Sequence, residues 1–162
     1  MSFNDDIDRD VEKLFSGIYN KPCCRKSVGE FRSLSIGFGE KIFCRKNRNI
    51  EKFYGEWEVG TYRSEWRVIR NGRVLCGSRD FVDSNSELND RLNAIRLGKI
   101  TSPIICVDGN VKLSLDCGAA IEFFSVFSDD NDVFHILGCG SENVAVTYSL
   151  DNGWVSDSFR KA

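Results

Sequence analysis

The stretch IEFFSVFSDDNDVFHILG, residues 121–138, holds the densest set of groups in the chain that could do chemistry. Asp129, Asp130 and Asp132 fall within four residues, and the chain's one histidine, His135, follows at once. Clustered carboxylates beside an imidazole could hold a metal, share a proton, or cap a turn. Calcium loops run D-x-[DN]-x-[DN]-G with a later glutamate, and here the glycine and the spacing are missing. A hydrolase built on two carboxylates needs a matched partner across the scissile bond, and a triad needs an activated Ser or Cys; neither has a recognisable setting. Asx side chains bond nearby backbone amides in short hairpin turns, so the aspartates are expected to close a four-residue turn. His135 lies in a strand between Phe134 and Ile136 and so faces away from them.

Other sources of chemistry are equally sparse. Seven cysteines, at 23, 24, 44, 76, 106, 117 and 139, contain no C-x-x-C pair, which predicts reduced thiols and neither a disulfide framework nor a zinc knuckle. No phosphate-binding glycine loop and no H-E-x-x-H is present, and Gly37-Phe38-Gly39 lacks the third glycine of a dinucleotide fingerprint. The expectation is a protein that is not an enzyme and needs no metal or cofactor.

The elements that would position these groups read as α+β. The 162 residues suit one domain with one core. Asn4 to Ile18 sets Ile7, Val11, Leu14, Phe15 and Ile18 on one helical stripe behind an Asn4 cap, predicting an N-terminal helix over 1–20. A strand-rich half over 28–80 follows: a hairpin with Phe31–Phe38 and Glu40–Arg45 around Gly39, then Glu56–Gly60 and Glu65–Arg70, then RVIRNGRVLC, whose Asn71-Gly72 suits a type I′ turn. NKPCC reads as a turn. SNSELNDRLNAIRLG predicts a central helix over 84–97 with Leu88, Leu92, Ile95 and Leu97 on one face, stopping at Gly98. A second strand-rich half over 99–159 completes the domain: KITSPIICV, VKLSLD, AAIEFFSVF, VFHILG, NVAVTYSL and GWVSDSF. Residues 55–69 and 118–137 share a Gly–aromatic strand–polar turn–aromatic-x-aliphatic plan, Trp66-x-Val68 against Phe134-x-Ile136, which suggests an internal duplication. The predicted architecture is one antiparallel sheet or two.

Charge divides unevenly along the chain. Net charge is −2, yet residues 1–20 carry −3, residues 21–79 carry +8 and residues 80–162 carry −7. A basic surface suits polyanions and an acidic one suits a basic protein, although the halves could also neutralise each other in packing. No apolar run approaches the roughly 20 residues that span a bilayer, and the acidic N-terminus is unlike a signal peptide, so a cytoplasmic protein without a membrane partner is expected.

Three stretches, GTYRSEWRVIRNGRVLCGS (60–78), IEFFSVFSDDNDVFHILGCG (121–140) and SLDNGW (149–154), resemble a family of small bacterial proteins that serve as immunity proteins to polymorphic or contact-dependent growth-inhibition toxins. The resemblance is one of strand and aromatic pattern over roughly 30–158, and it implies occlusion of a cognate toxin domain, often a nuclease. An acidic patch would plug a basic nuclease groove, which points to Asp129, Asp130, Asp132 and Glu142, with Tyr148 and Trp154 as aromatic anchors that could equally be core. The alternative resembles the Whirly fold of single-strand nucleic-acid binders: Arg45, Lys46, Arg48 and Lys52 interleave with Phe43, Phe53 and Tyr54, a composition that tracks a backbone and stacks bases. The sequence pI near 5.5 weighs against it.

Overall fold

The computed structural model describes residues 12–13, 15–43, 52–101, 105–107, 109–125, 132–139, 144–149, 151 and 153–158. Eleven strands among them form two antiparallel sheets. The first holds β1 (Cys23–Val28), β2 (Leu34–Phe43), β3 (Phe53–Thr61), β9 (Asp132–Gly138), β10 (Val144–Ser149) and β11 (Gly153–Ser158), in the order 1-2-3-9-10-11. The second holds β4 (Glu65–Arg70), β5 (Arg73–Gly77), β6 (Ile105–Val107), β7 (Asn110–Ser114) and β8 (Ala119–Phe124), in the order 5-4-8-7-6. Period-two alternation decides which residues go inward. The inner faces of both sheets feed one apolar cluster, joined across the sheets by Phe123 and Phe134, whose ring centroids lie 4.9 Å apart.

The chain crosses between sheets twice, after β3 and after β8, and these are the two stretches whose sequences resemble each other. β3 pairs with β9 and β4 pairs with β8, so the strands that flank the two crossings lie side by side. The strand orders are equivalent: three consecutive strands (1-2-3 or 6-7-8) meet two consecutive strands from the other half (9-10 or 4-5). The registers agree as well. Ile36, Val59, Ile136 and Val146 form a row across the first sheet, and Leu113, Ile121, Val68 and Cys76 form its counterpart in the second; all eight are buried. β11 has no counterpart in the second sheet.

Two helices flank these strands. Residues 15–18 are helical, with Phe15 and Ile18 buried, and at Gly17 an added Cβ would stand 3.1 Å from the Trp57 ring, so this turn sits directly on the sheet. The central helix, Asn85–Asn93, is capped by the Ser84 side chain, which accepts from the Glu87 N–H, satisfying one of the donors a helix start leaves free. Leu88 and Leu92 point into the core.

Three readings of the sequence are corrected. Gly39 is not a hairpin turn: β2 runs through it to Phe43 as one strand, with a bulge between Phe38 and Lys41. Gly39 takes φ +89°, its N–H donates to the Pro22 carbonyl, and the Glu56 side chain fills the space a Cβ would need. The first hairpin is instead β1 with β2, so Cys23 and Cys24 of the supposed turn NKPCC are strand residues. The helix also stops at Asn93, before Ile95 and Leu97; Leu97 is nevertheless buried, in the segment without regular structure that follows the helix.

Candidate binding surfaces

The most exposed aromatics sit on one corner. Phe31 is 91% exposed and Phe81 is fully exposed. Phe31 belongs to a 3-10 turn, Glu30–Arg32, in which Phe31 (φ +53°) and Arg32 (φ +57°) both take left-handed backbone, a conformation that costs a non-glycine residue roughly 1–2 kcal/mol. The reason is local. The Arg32 carbonyl accepts the Trp66 indole N–H at 2.8 Å, and the Arg32 guanidinium donates to the carbonyls of Ser78 and Asp80. Asn85 Nδ2 holds the Gly29 carbonyl at 3.0 Å. Arg32 is thus drawn in, Phe31 is turned out, and the loop carrying Phe31 is tied to the one carrying Phe81.

A second surface is the outer face of the first sheet. Glu58 is buried (1% exposed), and its carboxylate accepts from Gly55 N at 2.8 Å, Ser35 Oγ at 2.8 Å and Arg25 NH1 at 3.3 Å. His135, 7% exposed, lies under the exposed Tyr62 ring, 4.4 Å between centroids and nearly parallel. Burial holds its pKa down to about 4, so it is neutral at physiological pH. Clefts of about 430 Å³ and 410 Å³ open beside this stack. Ser35, Gly60 and His135 are successive partners on β2, β3 and β9, so the serine and histidine stand two strand spacings apart, about 10 Å. The Ser35 hydroxyl is bonded to Glu58 and lies beyond reach of the imidazole, so these groups do not form a nucleophile–base pair.

A third surface lies at the end of the β2–β3 hairpin. Phe43 and Phe53 pack with centroids 5.7 Å apart, Lys41 Nζ sits 4.7 Å above Phe53, and Arg25 sits 5.0 Å above Tyr54. Phe43 and Tyr54 remain 59% and 43% exposed.

Of the residues singled out in the sequence, Asp129, Asp130, Glu142, Arg45, Lys46 and Arg48 lie outside the described residues. Asp132 begins β9, exposed, and its carbonyl accepts from Ser64 Oγ at 2.8 Å. Lys52 is exposed just before β3. Tyr148 and Trp154 face each other across β10 and β11, centroids 5.0 Å apart, and Trp154 also meets Phe15 at 5.3 Å. Both pack against the core. Sequence reasoning missed Phe31, which it placed in a strand, and Phe81, which carried one usable signal: an aromatic between a strand and a helix cap, outside any alternating run. A scan against protein-family models, a search of curated proteins and a search of solved structures each returned no match for this chain.

Proposed function

We propose that this protein is an immunity-type inhibitor that binds a cognate toxin domain, of the nuclease class, and occludes it. The observation that carries the reading is the tied corner. Single exposed apolar residues are ordinary, but two highly exposed phenylalanines on hydrogen-bonded loops, one of them on unfavourable backbone, are aromatic anchors of the kind that dominate protein interfaces. The family resemblance supplies the partner class, and the acidic stretch Asp129–Asp132 with Glu142 supplies charge that would steer a basic domain. Tyr148 and Trp154 then act by holding β10 and β11 in place.

The test separates binding from folding. Phe31→Gly relieves left-handed strain while deleting the anchor, so this variant, combined with Phe81→Ser, should keep or raise Tm and weaken the affinity for the toxin domain encoded beside the gene by at least about tenfold. Full growth protection by the double variant would sink the proposal.

The hairpin-end surface favours a second reading, a single-strand nucleic-acid module with a Whirly-like duplicated plan. Phe43, Phe53 and Tyr54 would stack bases while Lys41, Arg25, Lys52, Arg45, Lys46 and Arg48 follow the phosphates. Fluorescence anisotropy with a labelled single-stranded oligonucleotide distinguishes the two. A micromolar, salt-sensitive complex lost in Phe43→Ala would put this reading first.

A further inference from the structure

A cleft of about 810 Å³ is lined by three thiols and several cations, among them Cys23, Cys24, Cys117, Lys26, Arg96 and Lys99. Its cysteines are chemically unequal. Burial raises Cys23 to about 11 and also raises Cys24, and Cys76, elsewhere in the core, is raised to about 12. Burial acts on Cys117 in the same direction, but the backbone N–H groups of Ala119 and Gly98 and the Arg70 guanidinium outweigh it and leave this thiol below its ordinary value.

The geometry behind this is specific. Arg70 NH2 donates to the Arg96 carbonyl at 2.9 Å and to Cys117 Sγ at 3.9 Å, and the Cys117 thiol itself donates to the same carbonyl at 3.6 Å, a bond that is given up when the thiol loses its proton. Arg70 Nε is buried with no hydrogen-bond partner among the described residues, an arrangement that costs stability; the guanidinium is placed at the sulfur by the bond of its NH2 to the Arg96 carbonyl. Gly98 lets the backbone come close to this turn: a Cβ there would stand 1.6 Å from Asp116 Oδ1 and 3.2 Å from Cys117 N. Around the sulfur, Arg96 and Lys99 are exposed and have no ion-pair partner among the described residues. Among the described residues, Lys26 Nζ bonds only to neutral carbonyls, of Asn93 and Ile95. Arg25 is paired with Glu58, and the opposing charge is Asp116, whose Oδ1 accepts from Lys99 N at 2.8 Å.

We propose that Cys117 is a site of reversible S-thiolation by a low-molecular-weight disulfide bearing carboxylates, with Arg70 holding the sulfur and Arg96 and Lys99 receiving the carboxylates. The Cys117 thiol loses its proton to water, and the thiolate attacks one sulfur of the disulfide. The reagent's S–S bond breaks as the protein–reagent S–S bond forms; the Cys117 sulfur is oxidised, and the departing half leaves as a reduced thiolate that takes a proton from water. The small disulfide is the oxidant. Such a site stands whether or not the corner at Phe31 and Phe81 binds a toxin.

The test uses the reduced full-length chain, oxidised glutathione as the anionic probe and cystamine as the cationic one, with peptide mapping at early times. Cys117 should carry the first glutathionyl group, faster than the same cysteine in urea. Arg70→Gln should slow it at least about fivefold at neutral pH and move the rate–pH curve to higher pH. Arg96→Gln with Lys99→Gln should slow glutathione disulfide and leave cystamine unchanged or faster. A first adduct at any of the other six cysteines, or a Cys117 rate equal to that in urea, overturns the proposal. Equal slowing of both reagents by the double variant overturns the carboxylate contacts. Mapping on the unaltered chain keeps the first readout independent of any variant's folding.

Discussion

The two sheets share a core row but differ on the face turned away from it. In the first sheet the outer row Ser35, Gly60, His135, Thr147 corresponds to Lys112, Glu122, Arg67, Gly77 in the second. The second sheet uses a partly exposed ion pair, Arg67 to Glu122 at 2.5 Å, with Arg67 lying over Phe124 at 5.0 Å. At the same two positions the first sheet has a glycine and a buried imidazole, beside the buried carboxylate of Glu58. Packing of side chains against a facing sheet fixes the inner rows, whereas the outer row faces no second sheet and can diverge. The first sheet has used that freedom to build a polar, aromatic-lidded face; the second presents an ordinary charged surface.

Gly60 is where that comparison should break most sharply. Its Cβ would stand 1.8 Å from the Leu34 carbonyl, while its counterpart is a glutamate; Gly60→Val should cost more than about 4 kcal/mol in urea unfolding. A well-folded variant would mean that β2 and β3 can separate without penalty. Next comes Arg25→Met, which leaves Glu58 buried without its cation and should cost about 3 kcal/mol. A loss under about 1 kcal/mol would show that Ser35 and Gly55 N alone satisfy the carboxylate.

The third effect depends on pH. His135 takes a proton at 6.5 when unfolded and at about 4 when folded, so the unfolded chain binds the extra proton between those values. Its contribution to stability is present above pH 6.5 and is lost as pH falls toward 4, in total about 3 kcal/mol. The difference between the pH–stability curves of the native chain and His135→Gln isolates it; parallel curves from pH 7 to 4 would contradict a buried neutral imidazole. The smallest effect belongs to the second sheet. Arg67→Met should change stability by less than about 1 kcal/mol, as exposed pairs do, and a loss as large as that from Arg25→Met would erase the contrast.

The chain's local signals stood in the sequence because they are local. Asn71-Gly72 takes φ +52° and +73°, the left-handed pair a type I′ turn demands. Ser84 caps its helix through Glu87 N, and alternation along β3, β4, β8 and β9 marked the buried side of each. Residues 55–69 and 118–137, which share a pattern of glycine, aromatic strand and polar turn, each begin in one sheet and end in the other. Gly39 and Phe31 were misread for the opposite reason. What keeps β2 straight through Gly39 is the Pro22 carbonyl and the Glu56 side chain, and what turns Phe31 outward is a bond from Trp66, 34 residues away, to the Arg32 carbonyl.

By itself, then, the sequence determined most of the strands and their apolar faces and the Asn71-Gly72 turn, but neither β1 nor the unbroken run of β2 through Gly39, since propensity, turn chemistry and period act over a few residues. Only the tertiary structure decided that β3 lies against β9 and β4 against β8, that His135 is enclosed while Phe31 and Phe81 stand in solvent, and that Cys117 meets Arg70. Those outcomes depend on which distant segments share a hydrogen-bond ladder, and alternation tells each strand which side to bury without naming its neighbour.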